Sequence, residues 1–321
     1  MSPIGKFPPP PADKTGWPWT EQSPLLTKNM SNGFTWPKIS IVTPSLNQAE
    51  YLEETIRSVL LQNYPNLEYI IIDGGSTDGS VEIIKKYEPW LTYWVSEVDR
   101  GQSHAINKGF QYSTGEILAW INSDDYYALG TFDIVGTTFA HNDFLWVAGN
   151  CYIIQDNGEI KYHFGKPTVR MDQWLLHNRY VQPEIFWRRS IWNNVNGLDE
   201  SMHYSFDYDL WLKFTQLQQY PYWIDQPFAY FRIHGKSKTG INRKPFDLED
   251  RMVYQRYRKR LTIVEWYKIW KIRREKQAMF YLSASNFSYH PCIKILLGIF
   301  SAPWFLFTRG FYAQAKKILF Q

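Results

Sequence analysis

Short apolar runs alternate with amphipathic segments in the first part of the chain. The amphipathic segments carry apolar residues at helical spacing and predict three helices: Glu50–Gln62, Asp78–Tyr87 and His104–Tyr112. The apolar runs are rich in β-branched and aromatic residues and predict four strands: Ile39–Thr43, Glu68–Ile72, Leu91–Val95 and Glu116–Ile121. Continuously apolar strands that alternate with helices predict an α/β fold, in which a mostly parallel sheet is covered by helices on both faces.

The character of the sequence divides the chain into three regions. Residues 1–37 are rich in Pro and predict an extended N-terminal leader. Residues 38–240 contain the alternation of strands and helices, and two further short strands are expected at Phe144–Ala148 and Tyr152–Gln155. Residues 241–321 predict a basic, aromatic, helical C-terminal extension.

The C-terminal extension contains an uncharged run, Ile295–Thr308, that follows many basic and aromatic residues. This run is shorter than the roughly 20 residues that a helix needs to span a bilayer. Basic residues beside an apolar, aromatic face are typical of a helix that lies in the membrane interface. A helical appendage packed on protein would have the same composition, so the sequence leaves both structures open.

The overall composition limits the classes of function. With 44% hydrophobic residues, the chain of 321 residues can bury a sizeable core. A net charge of +4 is too small to indicate nucleic-acid binding. The two Cys residues give neither a disulfide framework nor a zinc spacing, and the N-terminus lacks the apolar core of a signal peptide. A cytoplasmic location is therefore expected.

Two adjacent carboxylates, Asp124 and Asp125, follow the apolar run Ile117–Ile121. In an open α/β sheet, ligands bind beyond the carboxyl ends of the strands. Neighbouring side chains on extended backbone point in opposite directions, so one acid can reach a metal while the other reaches a ribose. Oxygen ligands of this kind suit Mg²⁺ or Mn²⁺ that carries phosphate. The alternative is a solvated turn, since Asp is a common turn residue.

Sequence blocks in this region resemble, in order and spacing, the motifs of family 2 glycosyltransferases. The blocks are Ile39–Asn47, Ile71–Ser80, Asp99–Gly109, Thr114–Glu116 and Asn122–Asp125. Each block is a weak signal alone, whereas the set in register is a strong one. The resemblance covers about residues 38 to 235 and implies the GT-A fold, a Rossmann-like sheet flanked by helices.

The resemblance implies that seven residues contact a nucleotide-sugar donor: Thr43, Pro44, Ser45, Asp73, Arg100, Lys108 and Asp124. The loop after the first strand would line the nucleoside pocket, and Asp73 would accept a hydrogen bond from the base. Arg100 or Lys108 would meet a phosphate or the base. Many relatives have a second Asp directly after the first, where this chain has Gly74, so the identity of the base stays open.

The resemblance also implies a metal site and a catalytic base. Asp125 and His234 would hold Mn²⁺ or Mg²⁺, which neutralises the departing diphosphate as a Lewis acid. Asp207 would take the proton of the acceptor hydroxyl, although Phe206 stands where many relatives have Glu. Glu184 is expected to lie in the acceptor pocket.

The function implied by the resemblance is that of an inverting, metal-dependent glycosyltransferase of the hexosyltransferase type. A sugar would pass from a nucleotide-diphosphate donor, with UDP expected, to a hydroxyl of a glycan or lipid-linked acceptor. Relatives of this type build cell-envelope polysaccharides, and the C-terminal extension is expected to contact the inner face of the membrane. Two alternatives stay open. One is a sugar nucleotidyltransferase, although the loop Thr43–Asn47 lacks a Gly-rich phosphate motif, and the other is a non-catalytic sugar-nucleotide-binding protein.

Overall fold

The computed structural model describes residues 3–165, 174–175, 180–217, 219–241, 244–283 and 291–304. The chain divides into two compact units. The first unit comprises residues 1–169 and 178–253, and the second comprises residues 170–177 and 254–321. The N-terminal leader and the beginning of the C-terminal extension therefore belong to the first unit.

Four parallel strands form one half of the sheet in the first unit. In the spatial order β3-β2-β1-β4, they are β1 (Ile39–Ser45), β2 (Leu67–Asp73), β3 (Tyr93–Ser96) and β4 (Ile117–Trp120). The helices that connect them are α1 (Ala49–Leu60), α2 (Ser80–Tyr87) and α3 (Gln102–Gln111). β1 and β4 are buried along their whole length. The predicted parallel strands and the helices between them are thus confirmed.

The other half of the sheet contains strands of both directions. These strands are β5 (Tyr126–Tyr127), β6 (Trp146–Ile154), β7 (Ile160–His163), β8 (Ile185–Arg188) and β9 (Tyr222–Arg232). β8 is antiparallel to its neighbours β4 and β6, β9 is parallel to β6, and β5 is antiparallel to β9. β7 pairs with β6 outside this path. Since β6 and β9 run in the same direction as β1 to β4, the sheet is mostly parallel.

The two strands predicted at Phe144–Ala148 and Tyr152–Gln155 are a single strand, β6. A buried polar residue, Asn150, interrupts the apolar pattern between them. Its side-chain amide donates hydrogen bonds to the Tyr162 hydroxyl (3.0 Å) and the Asp225 carboxylate (2.9 Å). The pairing of β6 with β9 shifts register on both sides of Asn150, so an irregularity in the ladder replaces the expected break.

Further helices complete the described part of the chain. In the first unit they are α4 (Thr131–His141), α5 (Arg189–Val195), α6 (Phe206–Gln216), α7 (Lys238–Ile241) and α8 (Lys244–Tyr257), the last of which extends into the second unit. The second unit contains α9 (Ile263–Ser283) and α10 (Pro291–Ser301). Short 3₁₀ turns occur at Pro3–Lys6, Glu88–Trp90, Gln182–Glu184 and Arg258–Arg260. Each of these described helices falls short of the length or the apolarity that crossing a membrane requires.

Tryptophan side chains form the core below the centre of the sheet. Trp120 of β4, Trp187 of β8 and Trp211 of α6 are fully buried. The rings of Trp120 and Trp211 are nearly parallel at 5.8 Å, and Trp187 lies edge-on to Trp120 at 5.4 Å. Large rings in such offset and edge-on contacts contribute strongly to core stability. Because α6 also carries Asp207, this packing fixes the position of the predicted catalytic base relative to β4.

The N-terminal leader packs on α1 through one buried arginine. Arg57 is 1% exposed and donates hydrogen bonds to the carbonyl oxygens of Pro8, Pro18 and Trp19 at 2.7 to 3.0 Å. The same guanidinium donates to the Tyr87 hydroxyl of α2. A buried arginine needs such acceptors to offset the loss of its hydration. The leader is therefore a fixed part of the first unit.

Aromatic and basic side chains pack on one another in the second unit. The guanidinium of Arg273 lies 3.4 Å from the ring centre of Tyr254, and the rings of Trp270 and Trp304 are 5.0 Å apart. The uncharged run Ile295–Thr308 begins in α10, and its last residues, 305–308, lie outside the described residues. Contact of this region with a membrane stays a prediction.

Candidate active site

The carboxyl ends of β1, β4 and β9 open into a cavity of about 600 Å³ in the first unit. Its walls come from the loops after these strands and from parts of α3, α6, α7 and α8. Four of the predicted site residues line it: Pro44, Ser45, Asp124 and Asp207. This position agrees with the rule that ligands of α/β sheets bind beyond the carboxyl ends of the strands.

One end of the cavity is formed by the last residues of β1. Pro44 and Ser45 line this end, and Ser45 is only 4% exposed. The Ser45 hydroxyl has no hydrogen-bond partner among the described residues, so it is a buried polar group available to a ligand. Thr43 is fully buried, and its hydroxyl lies 3.0 Å from that of Tyr69. Thr43 is therefore a core residue and lies outside the cavity lining.

Asp73 ends β2, as predicted, but its carboxylate builds the following loop instead of facing the cavity. It is fully buried and accepts hydrogen bonds from the backbone N–H groups of Gly75 (3.1 Å) and Ser76 (2.8 Å). The hydroxyls of Ser76 and Ser96 also donate to it, at 2.5 and 2.7 Å. Four donors occupy the acceptor sites of this carboxylate. In this structure Asp73 organises the loop after β2, and its role as the base-binding residue stays a prediction.

Arg100 and Lys108 also lie outside the cavity lining, because each is held in an ion pair. The Arg100 guanidinium contacts the Glu200 carboxylate at 2.6 Å, and Lys108 pairs with Glu97. Other residues of the same segment, including Asp99, do line the cavity. This segment therefore lines the cavity through residues other than Arg100 and Lys108, whose roles in donor binding stay predictions.

The two adjacent aspartates have separate environments, one in the cavity lining and one in the core, and their roles in binding stay predictions. Asp124 lines the cavity, and its Oδ2 lies 3.1 Å from Nε2 of His234. Asp125 is fully buried, and its Oδ1 accepts a hydrogen bond from the backbone N–H of Arg232 at 2.9 Å. Burial and the charge of Asp124 raise the pKa of Asp125 well above its ordinary value. Asp125 therefore fastens β9 to the loop after β4, and Asp124 is the acid that reaches the cavity.

The end of β9 contributes cations. Arg232 donates from its guanidinium to the Asp124 carbonyl at 2.6 Å and contacts Glu54 of α1 at 2.8 Å. Lys238 lines the cavity and donates to the Gln102 side-chain oxygen and the His203 carbonyl. Desolvation lowers the pKa of Lys238, while four nearby carboxylates act in the opposite direction. This side of the cavity is suited to an anion such as a diphosphate.

Asp207 lies in the first turn of α6 and lines the cavity, where its charge acts on Lys238. The loop before it is held by one carboxylate from α8. Glu249 accepts hydrogen bonds from the backbone N–H groups of His203 (2.8 Å), Tyr204 (2.9 Å) and Ser205 (2.7 Å). A carboxylate at exposed N–H groups before a helix is a stabilising arrangement, because the helix dipole and the hydrogen bonds act together. Glu249 therefore positions the start of α6.

Asp250, the next residue of α8, lines the cavity and accepts a hydrogen bond from the Ser205 hydroxyl at 2.7 Å. Neither Glu249 nor Asp250 was identified from the sequence, because both lie in the region assigned to the C-terminal extension. A periodic, highly charged helix gives no local signal that two of its acids reach a loop some 45 residues earlier.

Glu184, which was predicted in the acceptor pocket, is fully buried in the turn Gln182–Glu184. Its Oε1 accepts a hydrogen bond from the Val181 N–H at 2.9 Å, and its Oε2 has no partner in the described part of the chain. Burial raises the pKa of Glu184 well above its ordinary value. Val181 and Gln182 line the cavity, whereas Glu184 lies behind them. Glu184 is thus a buried core carboxyl in this structure, and a role in acceptor binding stays a prediction.

Comparison with known sequences agrees with the motif resemblance. Residues 40–194 match the family described as Glycosyl transferase family 2. An uncharacterized glycosyltransferase of Rickettsia typhi is 28% identical over 214 residues, which cover 63% of this chain and 66% of the relative. The putative teichuronic acid biosynthesis glycosyltransferase TuaG of Bacillus subtilis is 38% identical over 92 residues, which cover 28% of this chain and 36% of TuaG.

Comparison with solved structures identifies the fold. Residues 1–349 of S. aureus TarS, crystallised in complex with UDP, align with a TM-score of 0.59 at 17% identity, over 83% of this chain and 81% of that chain. A complex of the same part of TarS with UDP-GlcNAc aligns with a TM-score of 0.54. At this identity the similarity concerns the fold, which is the GT-A fold expected from the motifs. Residues 40–194 therefore match glycosyl transferase family 2, and the chain has the GT-A fold; it spans just under two thirds of the length of the Rickettsia typhi relative.

Proposed function

We propose that the protein is an inverting glycosyltransferase that uses a nucleotide-diphosphate sugar, a hydroxyl acceptor and a divalent cation. The observation that carries this proposal is the convergence of Asp207, the pair Asp124–His234 and Lys238 around one cavity. A single displacement needs a base for the acceptor and positive charge for the leaving diphosphate, but no protein nucleophile. These groups supply both requirements at one edge of the sheet.

The pair Asp124–His234 fits a divalent cation. Ligands at adjacent octahedral positions of Mg²⁺, each at about 2.1 Å from the ion, are about 3 Å apart. The carboxylate oxygen and imidazole nitrogen are 3.1 Å apart, which matches this spacing. In the described part of the chain, no cluster of three or more His, Cys, Asp or Glu side chains could hold a metal, so two protein ligands would be completed by diphosphate and water. When bound, Mn²⁺ or Mg²⁺ would act there as a Lewis acid for the leaving diphosphate.

Side chains of the protein supply the catalytic base and stabilise the charge of the leaving group. Asp207 takes the proton of the acceptor hydroxyl as the oxygen attacks the anomeric carbon. The bond from that carbon to the diphosphate oxygen breaks on the opposite side, which inverts the configuration. Lys238 holds the negative charge that develops on the departing diphosphate. Tyr204 and Phe246, whose rings are 5.1 Å apart in an edge-on contact, line the cavity near Asp207 and would border the acceptor.

The relatives support the chemical class of donor and acceptor. TarS binds UDP and UDP-GlcNAc in its crystal structures, and TuaG is named as a putative glycosyltransferase of teichuronic acid biosynthesis. These similarities support our proposal of a UDP-sugar donor and of a role in polysaccharide or lipid-linked glycan synthesis. A peripheral contact of the second unit with the membrane would bring it close to such acceptors.

The first experiment combines nucleotide binding with donor hydrolysis. UDP, GDP, dTDP and CMP are tested by thermal shift with and without Mn²⁺, because a ligand that binds only the folded state raises the melting temperature. The preferred donor is then tested for slow release of free sugar. We expect Asp207→Asn to reduce this release by about 10²- to 10⁴-fold while UDP binding is retained. Asp133→Asn, an exposed carboxylate of α4, is the matched control.

The outcomes separate the alternatives. A Mn²⁺-dependent shift with UDP and a hydrolysis that depends on Asp207 would support the transferase. Binding without any hydrolysis, in the presence of Mn²⁺ and a full panel of UDP-sugars, would indicate a non-catalytic sugar-nucleotide-binding protein. Formation of UDP-sugar from UTP and a sugar phosphate would indicate a nucleotidyltransferase and contradict the proposal.

A further inference from the structure

Gly74 and Asp99 are neighbours in space and share one small volume at the nucleoside end of the cavity. A Cβ atom added to Gly74 would lie 2.8 Å from Oδ2 of Asp99 and 3.4 Å from the side chain of Leu46. A separation of 2.8 Å is below any ordinary carbon–oxygen contact, so one of the two groups would have to move. Gly74 does not have a positive φ, and its backbone is open to any residue. A side chain at position 74 would therefore displace the Asp99 carboxylate from its observed position.

Asp73, the neighbouring acid, is not available to a nucleotide. Its carboxylate is fully buried and accepts four hydrogen bonds from the loop that it organises. Contact with a base would require breaking some of these bonds. The carboxylate that reaches the cavity at this end is instead that of Asp99, which is half-buried and belongs to the loop between β3 and α3.

One carboxylate oxygen of Asp99 is held by a hydrogen bond, and the other lies beside Gly74. Oδ1 accepts from the Gly101 N–H at 2.7 Å, which holds the side chain in place. Oδ2 is the atom next to Gly74. Ser45 lies at the same end of the cavity, because it pairs with Asp73 across β1 and β2 and its carbonyl accepts a hydrogen bond from the Gly74 N–H at 2.8 Å. Its buried hydroxyl has no hydrogen-bond partner among the described residues. This end of the cavity therefore offers a ligand one acceptor, Oδ2 of Asp99, and one donor, the Ser45 hydroxyl.

We infer that Asp99 is the residue that selects the donor base, and that the base is a pyrimidine with an N–H at N3, which is uracil or thymine. This inference rests on the proposed function. Uracil and thymine present one N–H, at N3, between two carbonyl groups, which corresponds to one free carboxylate oxygen beside a hydroxyl donor. Guanine presents N–H groups at two positions and would need both oxygens of the carboxylate. Cytosine has an acceptor at N3, which a carboxylate repels.

Asp99→Asn tests this directly, because it exchanges one acceptor for a donor. The amide oxygen can keep the bond to Gly101, while the amide nitrogen replaces Oδ2 and faces N3 of the base. The dissociation constants of UDP and CDP are measured by calorimetry with Mn²⁺ for the wild type and the variant. We expect the wild-type preference for UDP over CDP to fall by about 10- to 100-fold, since a charge-assisted hydrogen bond is lost and a cytosine contact is gained.

Two further variants separate base selection from general effects. Glu97→Gln removes a carboxylate from the same loop that is exposed and paired with Lys108, and we expect it to leave the preference unchanged. Asp99→Ala combined with Gly74→Asp moves the carboxylate to the position used by many relatives. We expect Asp99→Ala alone to lose the preference for UDP and the combined variant to regain it.

The results distinguish this inference from the proposed function. If the affinities for UDP and CDP fall by the same factor in Asp99→Asn and Asp99→Ala, Asp99 acts on the diphosphate side, for example through Lys238, and the inference is overturned. If neither variant changes the affinity for UDP or CDP, the inference about Asp99 is also overturned, while the transferase proposal stands. If the wild type binds neither nucleotide, nor GDP or dTDP, the proposed function fails and the inference falls with it.

Discussion

The carboxylate of Asp124 lies 3.1 Å from the imidazole of His234, although 110 positions separate the two residues in the chain. The short antiparallel pairing of β5 with β9 produces this proximity, since it places the loop after β4 against the end of β9. Two contacts from Arg232 fix the same junction, one to the Asp125 carboxylate and one to the Asp124 carbonyl. The strand pairing thus brings together the two side chains that we propose as cation ligands, and the buried carboxyl of Asp125 stabilises that pairing.

Substitution of the two aspartates should give opposite effects. We expect Asp124→Asn to weaken Mn²⁺-dependent nucleotide binding at least 10-fold, because the carboxylate in the cavity loses its charge, and to leave the melting temperature nearly unchanged. Asp125→Asn should retain most of the binding, since an amide oxygen can still accept from the Arg232 N–H. Calorimetry with UDP and Mn²⁺ and thermal unfolding of both variants provide the comparison.

Asp125→Ala extends this test to stability. It leaves the N–H of Arg232 without its buried acceptor, and a loss of about 1–3 kcal/mol in unfolding free energy is expected. If Asp125→Asn abolished metal-dependent binding and Asp124→Asn did not, the assignment of the two roles would be reversed.

The strands and helices up to Ile121 could be predicted because their apolar residues follow a local period. The cavity-lining positions could be predicted for a related reason at Ser45, Asp124 and Asp207, because these residues directly follow a strand or begin a helix. The burial of Glu184 could not be predicted, because it depends on which distant parts of the chain pack around its turn. The same holds for Asp73, whose acceptor sites are filled partly by Ser96 of another strand.

Glu249 should affect transfer through the position of Asp207. We expect Glu249→Ala to reduce donor turnover by about 10-fold or more, because three N–H groups before α6 lose their common acceptor and the first turn becomes mobile. Nucleotide affinity should change less than turnover, because Asp124 contacts His234 and not this loop, although Lys238 lies near Glu249 and donates to the His203 carbonyl. Steady-state kinetics with calorimetry of UDP measures the two effects separately.

The matched control for Glu249→Ala is Asp247→Ala, an exposed acid of the same helix. It should retain wild-type turnover. An equal loss of turnover in both variants would mean that the charge of α8, and not the contact with the loop, is responsible.

Arg57 should be the main attachment point of the N-terminal leader. We expect Arg57→Met to lower the unfolding free energy by about 3 kcal/mol, because buried carbonyl oxygens of Pro8, Pro18 and Trp19 lose their donor. Urea unfolding measures this change, and limited proteolysis should show earlier cleavage within residues 1–37. Lys85→Met, on the exposed side of α2, should change neither result. An unchanged cleavage pattern in Arg57→Met would show that other contacts hold the leader.

Glu184 should make stability depend on pH. Its pKa is raised in the folded state by burial, so above the unfolded pKa of about 4.3 the folded protein keeps a proton that the unfolded chain has released. Stability then falls as pH rises, by about 1.4 kcal/mol per pH unit from this group, until the folded pKa is reached. Glu184→Gln removes this contribution and keeps the acceptor for the Val181 N–H.

Unfolding free energies are measured in urea between pH 5 and 8 for the wild type and Glu184→Gln. As the pH rises, the variant should become increasingly more stable than the wild type. His163, which lies 4.0 Å from the Glu184 carboxyl, and the buried thiol of Cys151 are further ionisable groups near this carboxyl. Their effects are common to both proteins and cancel to first order in the difference. Glu159→Gln, an exposed carboxylate that pairs with Lys161, should run parallel to the wild type. Parallel curves for Glu184→Gln as well would mean that the carboxyl ionises in the folded state, with water reaching its free oxygen.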